Sequence, residues 1–483
     1  MYHRDHLYIG GTWVASADQR RLPVENPATE QIIGYVPDGS AADMAKAVEA
    51  ARAAFDEGPW PRMDPGERAD MLLALADGLE RRSAELASLI TAETGLPISL
   101  VSLVHTRGPV RALRRSAELA KATAFERAQR GAIFPFRVRQ VPVGVVGAIV
   151  PWNIPMLAAG AKLGPALAAG CTTVLKPSPE TPLSAFLLAD AADEIGLPPG
   201  VFNLVPADRD AGAALVAHPG IDKITFTGST AAGKAIAQVC ARAVKRYSLE
   251  LGGNAAAVIL DDAPLEQAAD SVVGMSLANN NGEACIVQGR VLVPRARAGE
   301  FVEAIVAAAK KIVVGDPTDP ATRLGPMVSR THRDRVLGYV ELGRREGARL
   351  VHGGGRPAGL DRGWYVEPTV FADAHNGMRV VREEIFGPVV TVIPYDSLDE
   401  AVAIANDTEY GLSGSVWSAD LARSAEIASR IRAGTMFLNG AFMLDVDAPF
   451  GGFKESGVGR EGGPDALGEF LEPQVMFVPE LTG

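Results

Sequence analysis

Residues 143–180 read VGVVGAIVPWNIPMLAAGAKLGPALAAGCTTVLKPSPE. A short apolar run, VGVVGAIV (143–150), leads into a helical segment that stops at Gly170, and a second apolar run, TTVLKP (172–177), follows at once. The rhythm continues with a helix to Gly196, VFNLV (201–205), a short helix, KITFTG (223–228), another helix and YSLELGG (247–253). Strands alternating with helices imply right-handed βαβ crossovers and a mostly parallel sheet, the doubly wound α/β arrangement. The alternation resumes with AAVIL (256–260), a helix before Cys285, GRVLVP (289–294) and later units as far as TMFLNG (435–440), enough chain for a second α/β domain. Ahead of these, Met44, Val48, Ala51 and Phe55 fall on one helical face after Ser40. Asp64-Pro65 supplies an N-cap and an N1 proline for another helix, and Gly95 closes a further helical stretch. FRVRQVPV (136–143) and VMFVPE (475–480) alternate apolar and polar residues, as half-covered strands do; they read as an oligomer contact or an edge hairpin on the monomer.

Composition bounds the function. The chain has 483 residues, 47% hydrophobic and 22% charged, which suits a globular protein of two to four ordinary domains with a large core. A net charge of −11 argues against a nucleic-acid or anionic-membrane surface. The N-terminal MYHRDHLYIGG has no signal-peptide core, and VPVGVVGAIVPW (141–152) is too short and too broken to span a bilayer. Cys171, Cys240 and Cys285 are too widely spaced for a disulfide framework or a zinc site, so no metal is expected and a reducing cytoplasmic setting is.

In open parallel sheets, ligands bind beyond the carboxyl ends of the strands. Trp152 and Asn153 follow the first strand, Lys176 ends the second, Gly228 and Ser229 follow the strand KITFT, and Glu250 leaves its strand beside Gly252-Gly253. Each has an ordinary reading: a core tryptophan, a turn asparagine, a solvated lysine, a serine N-cap, a capping carboxylate. GSTAAG (228–233) places free N–H groups at a helix start, which suits a phosphate, although it is not the full G-x-G-x-x-G pattern. Cys285, in NNNGEACIVQGR (279–290), reads either as a small buried hydrophobe or as a nucleophile presented by a loop. One strand and one helix separate it from Glu250, an excursion that can return the chain to the same cleft, where a thiol and a carboxylate would suit covalent catalysis followed by base-assisted hydrolysis.

Taken together and in order, PWN (151–153), LKPS (175–178), FTGST (226–230), ELGG (250–253), N-x-G-x-x-C (280–285), EEIFGPV (383–389) and PFGGFKESGVGRE (449–461) resemble the aldehyde dehydrogenase superfamily. The resemblance implies two Rossmann-like domains and a small β oligomerisation extension: residues 1–123 and 143–252 for dinucleotide binding, 253–453 for catalysis, and 124–142 with 470–483 for oligomerisation as a homodimer or homotetramer. It implies Cys285 as the nucleophile toward an aldehyde, Asn153 as an oxyanion donor with the Cys285 N–H, Glu250 as the activator of deacylating water, and Lys162 with Glu461 as a proton path. A free thiol near pKa 8.5 is only about 3% ionised at pH 7, so such a site must supply activation. For the cofactor, NAD, the resemblance implies Ser229 and the Trp152 indole N–H at the pyrophosphate, Lys176 at the adenosine ribose, Glu384 at the nicotinamide ribose and Phe386 beside the ring, with Val150, Pro151, Gly228 and Leu251 also binding the cofactor.

Four departures from the family pattern stand out. Pro179 replaces the usual ribose-binding acid and Glu180 falls one place later, which admits NADP as an alternative; ADRDAG (207–212) replaces a glycine-rich turn; Glu283 replaces a glutamine before the nucleophile; Asn254 replaces a lysine after ELGG. Pointing inward, the Glu283 carboxylate would oppose thiolate formation. The substrate tunnel implied by the resemblance is lined by Ile154, Leu157, Ala158, Ala161, Phe442, Met443 and Phe450, with Leu444 beside them, which suits a medium or bulky apolar aldehyde oxidised to its acid. The alternatives are a coenzyme A-acylating dehydrogenase, which would lack a deacylating carboxylate, a cysteine hydrolase, which would want a histidine partner, and a non-enzymatic protein on the same scaffold, which would have lost Cys285, Glu250 or Asn153.

Overall fold

The structure, a computed structural model, describes residues 2–440 and 445–479. Its first large sheet has eight strands, in the spatial order Gly457–Val458, Arg246–Glu250, Lys223–Thr227, Val145–Ile149, Thr172–Lys176, Phe202–Leu204, Leu7–Ile9, Thr12–Val14. The strands from Arg246–Glu250 to Phe202–Leu204 are all parallel. The chain winds outward from Val145–Ile149 in one direction, then returns to its other side as Lys223–Thr227. The gap beyond these two strands is the topological switch point, where a doubly wound sheet opens a crevice. Two apolar clusters sandwich the sheet: one holds Leu72, Leu113, Leu163 and Phe186, the other Met44, Val48, Leu215 and Ile224.

The second large sheet has seven strands, ordered Arg349–His352, Thr369–Ala372, Val389–Tyr395, Arg290–Pro294, Ala256–Ile259, Ser413–Trp417, Thr435–Leu438. All its pairings are parallel except the one at the Arg349–His352 edge. The two-sheet α/β architecture expected from the alternation is therefore what the chain forms. A separate three-stranded sheet joins Glu126–Arg130, Pro135–Pro142 and Leu471–Phe477 antiparallel, and it leaves Val475 and Phe477 exposed.

Helix boundaries follow from local chemistry. Ser40 and Asp43 form a reciprocal capping box for Ala41–Asp56, Asp64 caps Pro65–Arg81, and Gly95 ends Ser83–Thr94 at φ +77°. The N-terminal strands Leu7–Ile9 and Thr12–Val14 and the small sheet of Tyr2–His3, Arg21–Asn26 and Gln31–Pro37 were not legible as such. The turn after Arg21–Asn26 reaches toward the second large sheet: Trp364 donates from Nε1 to Glu25 Oε1 at 2.6 Å and from its backbone N–H to the Pro27 carbonyl at 2.9 Å.

Asp43 accepts hydrogen bonds from Ser40 N, Ser40 Oγ, Ser16 Oγ and Ala17 N, and these hold its pKa below the ordinary value even though burial opposes them. Asp43→Ala should therefore cost about 1–3 kcal/mol in a urea unfolding titration. Because the native pKa is depressed, this contribution is present above the unfolded carboxyl pKa of about 3.9 and disappears as pH falls through the native value.

Candidate active site

The site lies where the carboxyl ends of the first sheet meet the amino ends of the second. A cavity of about 190 Å³ is lined by Asn153, Thr227 and Glu250 from the first and by Ala284, Cys285 and Ile286, which precede Arg290–Pro294, from the second. Glu461 and Phe450 close it from the C-terminal segment, where their backbones exchange hydrogen bonds of 2.7 and 2.8 Å. The connection between the sheets is Leu251-Gly252-Gly253-Asn254. A Cβ on Gly252 would stand 2.4 Å from Glu384 Oε2, and one on Gly253 only 2.2 Å from the Cys285 carbonyl oxygen. These glycines serve close approach, and neither has a positive φ.

The loop carrying Cys285 is tightly built. After the helix Leu265–Val273 the backbone turns through Asn280 at φ +51°, Asn281 at +58° and Gly282 at +73°. Asn281 holds this strain in place: its Nδ2 donates to the carbonyls of Gly95 and Pro326 at 3.1 and 3.0 Å, and its Oδ1 accepts from Gly325 N at 2.8 Å. Asn280 donates from Nδ2 to the carbonyls of Asn153 and Glu283. Its Oδ1 must then be the acceptor toward buried His105, so His105 carries its proton on Nε2 across that 2.8 Å contact. Asn153 in turn donates from Nδ2 to the Glu283 carbonyl at 2.8 Å, which locks the side chain to the nucleophile loop.

Glu283 points away from the thiol. Its Oε1 accepts from Val328 N at 3.0 Å and lies 3.6 Å from His332 Nε2. Full burial raises its pKa well above the ordinary range, opposed by the hydrogen bond from Val328 N. The carboxylates that oppose ionisation of Cys285 are instead Glu384 and Glu250; desolvation is the larger cause, and together they push the thiol far up. Glu250 is itself buried, with Oε2 unpartnered. Burial, then the Glu461 carboxylate, raise its pKa, while Lys162 and Arg460 oppose the shift. Lys162 is fully buried and ion-paired to Glu461. A Cβ on Gly451 would come within 2.9 Å of Glu250 Oε1, so that glycine leaves room beside the carboxylate.

On the other side of the loop, Trp152, His332 and Phe386 meet edge to face, with ring centroids 5.2–5.9 Å apart. Phe386 adopts φ +63°; His332 Nε2 donates to its carbonyl at 2.6 Å, and Arg335 donates to the carbonyls of Glu384 and Ile385. Glu384 accepts from Gly253 N at 2.9 Å, and desolvation brings its pKa up to about 7. Val150 is buried, Pro151 is half-buried, and Ser229 caps Thr230–Arg242 by accepting from Ala232 N. The space at Gly228 faces the Phe226 ring, and Leu251 packs against Gly233 in the apolar cluster beneath. Lys176 is buried and donates to the Pro177 carbonyl, its stem against Gly212 of the ADRDAG turn; burial lowers its pKa to about 8, with Glu180 the strongest opposing charge. Asn254 donates to the Val381 carbonyl.

Of the tunnel residues expected from the sequence, Ile154, Leu157, Ala158, Ala161 and Phe450 line the cavity, whereas Phe442 and Met443 lie outside the described residues. The wall contributed by Leu100, Leu103, Val104, Arg107 and Arg111 was not anticipated. The available signal was an apolar stripe at helical spacing in a segment whose Leu103 stays exposed. His332 and Arg335 were missed too, since nothing local marks a helix residue that braces a distant loop. Among the described residues, no group of three or more His, Cys, Asp and Glu side chains is placed to hold a metal ion. No helix there is long and apolar enough to cross a membrane.

A half-buried thiol, an amide donor and a carboxylate around one cavity, beside a dinucleotide-type crevice, define an oxidoreductase-like site. The aldehyde dehydrogenase family pattern matches residues 13–476, and the chain belongs to that family. It is 48% identical over 474 residues to geranial dehydrogenase of Castellaniella defragrans, covering 98% of each chain. It is 43% identical to a 3-succinoylsemialdehyde-pyridine dehydrogenase of Pseudomonas, again covering 98% of both. Among solved structures, a Mycobacterium tuberculosis aldehyde dehydrogenase complexed with NAD+ superposes with a TM-score of 0.96 at 45% identity, over 99% of this chain and 98% of that one. An aldehyde dehydrogenase from Pseudomonas syringae complexed with NAD+ and octanal gives 0.95 at 41%, over 100% and 99%.

Asn281→Ala removes three hydrogen bonds and leaves a Cβ residue at φ +58°, so it should destabilise the protein by about 2–4 kcal/mol. Asn281→Gly should recover the backbone part of that loss and not the rest. Denaturant titration of the three proteins side by side reads the difference.

Proposed function

We propose that the protein oxidises a medium or bulky apolar aldehyde to its carboxylic acid with NAD+, through a covalent intermediate on Cys285. The observation that carries this is the convergence of Cys285, Asn153 and Glu250 on one largely apolar cavity, with Glu384 and the aromatic group of Trp152, His332 and Phe386 on the opposite side of the same loop. Cys285 Sγ adds to the aldehyde carbon, and the developing oxyanion takes hydrogen bonds from Asn153 Nδ2 and the Cys285 N–H. Loss of one such donor typically costs about 3–4 kcal/mol in kcat. Departure of hydride leaves a thioester. Glu250 then removes a proton from water, which attacks the thioester carbon and releases the acid and the thiol. Buried Lys162 and half-buried Glu461, beside Glu250, would relay the proton onward.

The residues present suit a nicotinamide dinucleotide. The N-terminus of Thr230–Arg242 carries the unpartnered Thr230 hydroxyl, the aromatic group offers a flat apolar surface, and Glu384 offers a carboxylate to ribose hydroxyls. Bound NAD+ would supply the hydride acceptor and, through its cationic ring, offset the carboxylates that oppose thiolate formation. Residues 1–123 and 143–252 would bind it, with residues 253–453 supplying the nucleophile. Glu180, the charge that most raises the Lys176 pKa, is a carboxylate near the lysine expected at the adenosine ribose and would there repel a 2′-phosphate, which favours NAD over NADP. The solved relatives with NAD+ bound support the same preference. The strand Leu471–Phe477, which exposes Val475 and Phe477, and its neighbours support a homodimer or homotetramer.

Two measurements test this. Reduced-nicotinamide absorbance with octanal should show turnover with NAD+ in the absence of coenzyme A; strict dependence on coenzyme A, or a higher rate with NADP+, would refute the corresponding part. Glu250→Gln should lower steady-state turnover by about 10²–10⁴ while keeping a single-turnover burst, because acylation precedes the step it serves. Since burial raises the Glu250 pKa and the base works deprotonated, wild-type kcat should rise with pH along a limb above the ordinary carboxylate range. Alkylation of Cys285 in the free protein should likewise keep accelerating beyond the ordinary thiol pKa of about 8.5.

A further inference from the structure

Apolar side chains, Ile154, Leu157 and Ile286 among them, line most of the cavity, and cationic side chains stand at its rim. Arg107 and Arg111 both line it and both are exposed, one turn apart on the helix Arg107–Ala122. Two further arginines of that helix face elsewhere and are paired: Arg114 with Asp77 and Glu80, Arg115 with Glu118 and Asp447. Arg107 and Arg111 form no ion pair among the described residues, and residues 441–444, AFML, contain no acid. Across the rim stands one carboxylate, exposed Asp445, which accepts from the Asp447 N–H. In the depth, beside Cys285, the charged lining is Glu250 and Glu461, and His105 there is buried.

We propose that the site takes aldehydes bearing an anionic group at the far end of an apolar chain, with Arg107 and Arg111 holding that group at the mouth. The proposal rests on the reading of Cys285 as the point of aldehyde attack and adds a charge requirement that depends on length. His105, tied through Asn280 to Asn153, marks the deep end of the helical wall, and Arg111 lies six residues further on, about 9 Å at a helical rise of 1.5 Å per residue. A short oxo-acid would leave its carboxylate desolvated in the depth beside Glu250 and Glu461, out of reach of either guanidinium group. A longer one passes Leu157 and Ala161 and brings its carboxylate to the two guanidinium groups, which can each take it in a two-pronged hydrogen bond.

The test compares kcat/KM at saturating NAD+ for pairs of equal chain length: butanal against succinate semialdehyde, and octanal against the terminal oxo-acid of the same length. The short oxo-acid should be the poorer substrate of its pair. The long one should be the better by roughly three- to tenfold, an advantage that shrinks as salt is added, because both partners are exposed. In the double variant Arg107→Gln, Arg111→Gln the long-chain ratio of oxo-acid to alkanal should fall to one or below. A long-chain ratio at or below one in the wild type, or one unmoved by both salt and the double variant, overturns the proposal and leaves aldehyde oxidation standing. No turnover with any of the four aldehydes by folded protein overturns both.

Discussion

The molecule depends on how closely three chain segments can meet at residues 252 and 253. The bridge between the two large sheets passes within contact of the Glu384 carboxylate and of the Cys285 carbonyl, at distances that exclude any side chain there. Glu250 ends the strand immediately before this bridge, and Ala256–Ile259 begins just after it. Nucleophile, buried carboxylate and the acid on the crevice side are thereby referenced to one short piece of backbone. Interiors are close-packed, so a methyl group in either place would shift at least one of them.

Charge in the site follows from that packing. Desolvation, and after it the carboxyl groups of Glu384, Glu250 and Glu461, oppose ionisation of one thiol. Both effects push the Cys285 thiol and the Glu250 carboxyl toward their neutral forms. Lys162 partly compensates, but its ion pair is with Glu461, so Glu250 keeps one oxygen free to approach water. Glu283 gives the opposite lesson: a carboxylate two residues from the thiol along the chain is harmless because its side chain is turned toward Val328 and His332.

Much of the fold was legible because its signals are local. The parallel strands of the first sheet appear as apolar runs between glycine-ended helices, and the caps at Ser40, Asp64 and Gly95 are written in adjacent residues. The short N-terminal strands were not legible, since two or three residues carry no period, and their pairing is set by where the rest of the sheet leaves an edge. In the site, the strand-end residues were found by their position after apolar runs, and the Phe226 ring occupies the space where a Cβ on Gly228 would stand.

By itself the sequence determined the two α/β units, the ordered motifs that identify the family, and the residue types placed at strand ends, all properties of neighbours along the chain. Only the tertiary structure decided which groups face each other. The direction of the Glu283 side chain, the tautomer of His105, the bracing of Phe386 by His332 and Arg335, and the raised pKa values of Cys285 and Glu250 all come from contacts between residues tens to hundreds of positions apart. Burial and electrostatic energy depend on distance through space and on excluded water, quantities that no local pattern encodes.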